Sequence, residues 1–156
     1  MKENMYNKKQ IADFLKKQFP SSTTKIVLED DLYEILPKKF FKLSLMQRIL
    51  GVKAWEYALG GADCGKRAVR LCAYYFSKFH DKGGVKFFQE GLMPAPIVGI
   101  VKYKRERQQD WHIILATVLV EDGKMKLMFI ERKKDHLWYP TLSDTEMRSI
   151  KYFHSY

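Results

Sequence analysis

The stretch WHIILATVLVEDGKMKLMFIE, residues 111–131, carries the strongest fold signal in this sequence. It contains two runs rich in β-branched and aromatic residues, 111–120 and 125–131, and the dipeptide Asp122-Gly123 lies between them. Runs of this kind favour β-strands, and an Asp-Gly dipeptide between them is a strong signal for a tight hairpin turn. We therefore expect an antiparallel β-hairpin in the C-terminal part of the chain.

The turn also predicts the register of this hairpin. We expect Glu121 to pair with Lys124, which places His112 opposite Lys133. Glu131 then lies one diagonal step from His112 on the same face. Diagonal neighbours are about 7–8 Å apart at Cα, which is within reach for a glutamate and an imidazole. A three-residue turn with a bulge would shift the register by one residue and remove this proximity.

Helical patterns precede the hairpin. The clearest covers residues 64–79, with Asp63 as a good N-cap and Gly83-Gly84 after its end. One arc of this helix is apolar and begins with Cys64, whereas the opposite arc is basic. The other expected elements are helices at 9–19, 44–50 and 52–59, a short extended piece at 26–28, and strands at 97–103 and 147–153.

Helices first and strands afterwards predict an α+β fold. We expect a helical N-terminal half, whose central Cys64-bearing helix packs on a C-terminal antiparallel sheet. The hydrophobic fraction of 46% and the lack of repeats and linkers predict one domain over 1–156. No apolar run reaches the roughly 20 residues that span a bilayer, and the N-terminus does not resemble a signal peptide. We therefore expect a soluble, cytoplasmic protein, outside the membrane, coiled-coil and disulfide-scaffold classes.

The formal net charge is +10, from 28 Lys plus Arg and 18 Asp plus Glu. An excess of this size suggests an anionic partner, such as nucleic acid or the acidic surface of a protein. A basic surface that contacts only water is the alternative. No nucleic-acid-binding motif or phosphate loop accompanies the charge. The candidate residues for binding an anion or a partner are Lys66, Arg67, Arg70, Lys102, Lys104, Arg105 and Arg107.

The chain has two cysteines, Cys64 and Cys72. Eight helical residues separate them by about 12 Å, which excludes a disulfide, and no paired Cys-x-x-Cys predicts a metal site. Cys72 lies among apolar residues in mid-helix, as a core cysteine does. Cys64 lies in the first helical turn, where unpaired N–H groups and the helix dipole favour a thiolate. The alternative for Cys64 is a small apolar residue that begins the buried arc.

A cysteine nucleophile needs a base and usually a third group that orients the base. Of the four histidines, only His112 begins a strongly apolar strand, where a base can be held rigidly. Glu131 could accept the second ring N–H and set the tautomer. The alternatives are a packed histidine at a strand end, and a solvated carboxylate that pairs with Arg132 or Lys133.

The order of these residues resembles a known superfamily. Asp63-Cys64 opens a helix, His112 opens a strand, and Glu131 ends the next strand. This order resembles the papain-like superfamily, including transglutaminase-like domains and cell-wall peptidases of the NlpC type. It looks most like short transglutaminase-like proteins encoded by bacteriophages. The matching stretches are Asp31-Leu32-Tyr33 and residues 61–68, 110–114 and 129–131.

The resemblance implies a papain-like fold and covalent acyl-transfer chemistry. Cys64 would be the nucleophile, His112 the base and later the acid, and Glu131 the group that orients His112. A protein or peptide amide would be the substrate, with no cofactor or metal ion, in the host cytoplasm or virion of a phage. The alternative is a non-catalytic basic or virion-associated structural protein on the same fold, which contacts nucleic acid or an acidic protein partner.

Overall fold

The computed structural model describes residues 4–20, 23–25, 32–42, 64–81, 94–95, 97–132 and 137–155. The helices in these residues are α1 (Lys8–Gln18), α2 (Lys38–Phe41), α3 (Cys64–Asp81) and α4 (Asp144–Ser149). α1 and α3 confirm the helices predicted at 9–19 and 64–79. None of the described helices is long and apolar enough to cross a membrane. The patterns at 26–28, 44–50 and 52–59 and the predicted cap Asp63 lie outside the described residues.

The strands of the described residues form two sheets. They are β1 (Met5–Asn7), β2 (Thr23–Lys25), β3 (Leu32–Ile35), β4 (Pro94–Ala95), β5 (Ile97–Lys104), β6 (Trp111–Glu121), β7 (Lys124–Arg132), β8 (Leu137–Trp138) and β9 (Tyr152–Ser155). The larger sheet has the order β2-β9-β5-β6-β7-β8, and the smaller has the order β1-β3-β4. In the larger sheet every neighbouring pair is antiparallel except β2 with β9. Helices combined with a mainly antiparallel sheet confirm the α+β class.

The central hairpin, β6 with β7, has the predicted turn and register. Both residues of the Asp122-Gly123 dipeptide have positive φ, 54° and 72°. Positive φ at both central residues is the mark of a type I′ turn, whose twist matches that of the strands. Glu121 pairs with Lys124, and the ladder continues in this register as far as the Leu115–Ile130 pair. The alternative with a bulged turn is therefore wrong.

The larger sheet is covered on both faces. Successive residues of a strand point to opposite faces, so β6 contributes to two separate clusters of apolar side chains. Ile114 and Val118 pack in the cluster that includes the apolar side of α1. Leu115 and Leu119 pack in the cluster that includes the apolar side of α3. This double coverage explains why β6 is buried along most of its length, and it places the helix that carries Cys64 on one defined face.

The first half of the chain is not purely helical in the described residues. The strands β1, β2 and β3 lie there beside α1, α2 and α3. These strands have only three or four residues each. A strand this short shows little alternation of its own, and its partners decide whether it forms. The expectation of a helical N-terminal half is therefore not confirmed, whereas the packing of the Cys64 helix on the sheet is confirmed.

The strand predicted at 147–153 is wrong in its first part. Helix α4 extends to Ser149, and β9 begins at Tyr152. The Ser143 hydroxyl accepts a hydrogen bond from the Glu146 backbone N–H, and the Glu146 carboxylate accepts one from the Ser143 N–H. This capping box satisfies two N–H groups of the first turn and stabilises the helix against the extended alternative.

Residues that are far apart in the sequence meet in the fold. β2 pairs with β9, and the rings of Phe19 and Phe153 stack with their centroids 5.4 Å apart. The Tyr6 hydroxyl donates a hydrogen bond to the Gly123 carbonyl over 3.2 Å. These contacts attach the early segments of the chain to the sheet and to the turn of the central hairpin.

Candidate active site

His112 and Glu131 come together at one end of the central hairpin. The His112 Nε2 and a Glu131 carboxylate oxygen lie 2.6 Å apart. The His112 side chain is buried and that of Glu131 is partly buried, with 7% and 13% of their surface exposed. The contact follows from the register, because the two residues are diagonal neighbours on the same face. It confirms the predicted proximity of the two side chains.

This hydrogen bond fixes the state of the imidazole. A carboxylate only accepts hydrogen bonds, so Nε2 carries a proton and donates it to Glu131. In the neutral ring the lone pair is then on Nδ1. Nδ1 of His112 makes no hydrogen bond within the described part of the chain. The ring is thus oriented with its basic nitrogen turned away from Glu131.

The Tyr103 ring covers the imidazole from the neighbouring strand. Tyr103 pairs with His112 across β5 and β6, and the two ring centroids are 5.9 Å apart in an edge-to-face arrangement. Burial raises the pKa of Tyr103 to about 12, and the negative charge of Glu131 adds to the rise. The phenol therefore stays neutral near neutral pH and places no second negative charge beside His112.

Cys64 borders the same site from the start of α3. A narrow cavity of about 10 Å³ lies between α3 and the ends of β6 and β7, with room for about one water molecule. Cys64 and Arg67 line it from the helix, and His112 and Glu131 line it from the strands. Cys64 is a free, partly buried thiol. Cys64, His112 and Glu131 thus all contribute to the lining of one cavity.

Cys64 and His112 approach this cavity from different faces of the sheet. α3 packs on the face that carries Leu115, whereas the His112 ring lies with Tyr103 on the other face. Among the described residues the β6–β7 ladder ends at the Leu115–Ile130 pair. No hydrogen bond joins Cys64 to His112 in this part of the structure. The thiol and Nδ1 can therefore meet only at the edge of the sheet, beside the start of β6, where the two faces join.

Cys72 lies two turns further along α3 in different surroundings. It is 2% exposed and packs with the apolar residues that α3 shares with the sheet. Burial raises the pKa of its thiol to about 12. These observations confirm Cys72 as a core residue. Of the two cysteines, Cys64 is the one with access to a cavity.

The basic residues of α3 differ in what the structure describes. Arg67 lines the cavity beside Cys64. For Lys66 and Arg70 the described structure contains the helical backbone and not the surroundings of the side chains. Of these three residues, Arg67 is therefore the one whose positive charge is placed beside Cys64.

The predicted basic cluster consists of Lys102, Lys104, Arg105 and Arg107. Its members differ in whether an acidic side chain already pairs with them. Arg105 forms two hydrogen bonds to the Asp110 carboxylate, 2.7 Å and 2.5 Å long. This pair raises the pKa of Arg105 and lowers that of Asp110, since each charge stabilises the other. Lys104 and Arg107 are exposed.

Lys102 of this cluster lies beside Trp111 and Lys151, which were not among the predicted binding residues. The ring of Trp111, at the start of β6, has the Lys102 Nζ 6.0 Å from its centroid and the Lys151 Nζ 4.2 Å from it. Lys151 is far from Trp111 in the sequence, and only the pairing of β9 with β5 brings it close. No local pattern could have indicated this grouping.

No group of three His, Cys, Asp or Glu side chains in the described residues could hold a metal ion. No protein-family model, characterised protein or solved structure matches the chain. The function is therefore inferred from the site itself.

Proposed function

We propose that this protein is a cysteine-dependent acyl-transfer enzyme of the papain-like class, which uses Cys64, His112 and Glu131. The observation that carries the proposal is the 2.6 Å His112–Glu131 contact at a cavity that Cys64 also lines. Catalysis by a cysteine requires a nucleophile and a base, and usually a third group that orients the base. The three side chains supply these groups on rigid elements, one at a helix start and two on paired strands.

Proton transfer from Cys64 to His112 starts the proposed reaction. Because Nε2 donates to Glu131, Nδ1 is the atom that accepts the thiol proton. The resulting imidazolium faces the Glu131 carboxylate, and the thiolate lies near the helix N-terminus and Arg67. Each new charge then has an opposite charge nearby. The step requires the thiol to reach Nδ1 at the strand end, beyond the last pair of the ladder.

The thiolate then attacks the carbonyl carbon of an amide. A C–S bond forms, the imidazolium gives its proton to the leaving amine, and the C–N bond breaks. Water or a second amine next attacks the thioester with His112 as base, which releases an acid or a new amide and restores the thiol. The cavity is far smaller than the several hundred Å³ typical of small-molecule sites. We therefore propose an extended protein or peptide amide as the substrate.

An activated ester tests this chemistry without knowledge of the natural substrate. We expect p-nitrophenyl acetate to acetylate Cys64, detected as one acetyl group on its tryptic peptide by mass spectrometry. Cys64→Ala should lose this adduct, and Cys72→Ser should acetylate like the wild type. Glu131→Gln should slow acetylation at least about tenfold, because the ring loses its oriented, charge-stabilising partner. Equal acetylation rates of Cys64 in wild type and His112→Ala would contradict the proposal.

A bifunctional reagent tests whether the thiol and the imidazole meet. 1,3-Dibromoacetone alkylates a reactive thiol and then links to a ring nitrogen that lies within its short reach. We expect a covalent bridge between Cys64 and His112 in the folded wild type, and a single adduct on Cys64 in His112→Ala. A wild-type protein that takes up the reagent on Cys64 and never forms the bridge would exclude the proposed triad.

A further inference from the structure

We propose that the surface around Trp111 binds single-stranded nucleic acid, independently of the proposed acyl-transfer chemistry. This surface, the Trp111 patch, consists of Trp111, Lys102, Lys104 and Lys151. Trp111 begins β6, two of the lysines lie on β5, and Lys151 directly precedes β9. Pairing among three neighbouring strands thus brings these three lysines next to one exposed aromatic residue.

The geometry of the patch is fixed by backbone pairing. The Trp111 side chain is exposed, with 42% of its surface open to solvent. Lys104 pairs with Trp111 in the ladder, and the Lys151 backbone N–H donates to the Lys102 carbonyl over 2.9 Å. The Lys151 and Lys102 ammonium groups lie 4.2 Å and 6.0 Å from the ring centroid. Two ammonium groups therefore lie beside the ring, and Lys104 is its neighbour on the adjacent strand.

The charges of the patch are not neutralised by the described acidic residues. Lys102, Lys104 and Lys151 form no ion pair within the described part of the chain. Asp110 precedes Trp111 in the sequence, but its carboxylate is held by Arg105 through two hydrogen bonds. The three ammonium groups are consequently able to contact an anion from outside.

An exposed aromatic ring beside ammonium groups matches both parts of a single-stranded nucleic acid. An unpaired base stacks on the ring, and the lysines contact the phosphates on either side. A lysine side chain is flexible enough to move its ammonium group from the ring to a phosphate when a base takes its place. A duplex keeps its bases stacked inside, and an acidic protein would use the lysines without the ring. The net charge of +10 favours the approach of any polyanion.

Fluorescence anisotropy with a labelled oligothymidylate of about twelve nucleotides tests the patch. We expect wild-type binding that weakens steeply as the salt concentration rises. Replacing Lys102, Lys104 and Lys151 together by Gln should make the slope of log K against log salt shallower by about 2, since each phosphate contact on a single strand contributes about 0.7.

A matched variant separates the patch from the overall charge. Replacing Lys9, Lys16 and Lys124 together by Gln removes the same number of charges from exposed positions elsewhere. This control should bind with a salt slope close to that of the wild type. If the control and the patch variant weaken binding equally, the oligonucleotide is held by diffuse charge and the proposed patch is wrong.

The aromatic contribution is tested at Trp111. Trp111→Ala should weaken binding at least about fivefold, and Trp111→Phe should recover most of the loss, because stacking requires only an aromatic face. Cys64→Ser should bind like the wild type, which separates this proposal from the acyl-transfer proposal. Unchanged affinity in a folded Trp111→Ala, or binding of polyglutamate without binding of the oligonucleotide, would overturn the proposal. Should Trp111→Ala fail to fold, the lysine variant and its control decide the outcome.

Discussion

The two thiols of α3 are chemically identical in the unfolded chain and differ in the folded protein. Cys72 is 2% exposed, and burial raises its pKa to about 12. Cys64 borders the cavity at the helix start. Because the thiolate is the reactive species, iodoacetamide should modify Cys64 much faster than Cys72 near neutral pH. Mass spectrometry of the two cysteine peptides over time gives both rates.

Denaturant provides the control for this labelling experiment. In concentrated guanidinium chloride the fold is lost, and both thiols should react at similar rates. Slow and equal modification of Cys64 and Cys72 in the native protein would mean that Cys64 is as well shielded as a core residue. That result would remove the thiol from the proposed chemistry.

Residue contacts differ in how far the sequence predicts them. The His112–Glu131 contact is predictable, because a two-residue turn sets the register of every later pair in the hairpin. The position of Cys64 relative to His112 depends on how α3 packs across the sheet, which no local pattern encodes. The same reason explains why the predicted basic cluster included Lys102 and left out Lys151, whose neighbour is set by β9.

The turn of the central hairpin can be tested through its conformation alone. Gly123 has φ of 72°, and a Cβ placed there would meet no atom within 4 Å. Gly123→Ala therefore changes the cost of the left-handed conformation without creating a clash. We expect the free energy of unfolding to fall by about 1 kcal/mol, measured by urea denaturation. Gly123→Asn should lose less, since Asn adopts positive φ more readily.

Long elements and short elements of this fold had different predictability. Long elements have enough residues for their apolar periodicity to predict their secondary structure, as in β5, β6, β7 and α3. Residues 147–149 of the last predicted strand instead belong to α4, because the capping interactions of Ser143 with Glu146 outweigh the extended pattern of the apolar residues there. Its end, 152–153, lies in β9 as predicted. The smaller sheet is built from strands of two to four residues, so pairing with distant segments determines whether these strands form.

The whole molecule should lose stability at alkaline pH. Burial raises the pKa of Cys72 and of Tyr103 to about 12 and raises that of Tyr75 well above its usual value. In the unfolded chain these groups release their protons near pH 8.5–10. The unfolded state therefore loses protons first as the pH rises, and the free energy of unfolding falls progressively from about pH 9 to about pH 12.

Urea denaturation in a reducing buffer at a series of pH values checks this expectation. The midpoint should change little between about pH 7 and 8 and should decrease above about pH 9. Tyr103→Phe removes one of the buried acids, so its midpoint should decrease less over the same range. A wild-type midpoint that stays constant up to about pH 11 would show that these groups are not protected in the folded protein.

The stacking of Phe19 on Phe153 has a consequence for the time course of biosynthesis. The ribosome synthesises α1, with Ile11 and Leu15 on its apolar side, before the strands that cover it. The sheet that covers these residues is made much later, and Phe153 and β9 are among the last parts of it. Between the synthesis of α1 and that of β9, the nascent chain therefore carries an amphipathic helix that is incompletely covered, at the stage when aggregation and chaperone binding compete with folding. The packing around α1 is completed only after β9 has been synthesised.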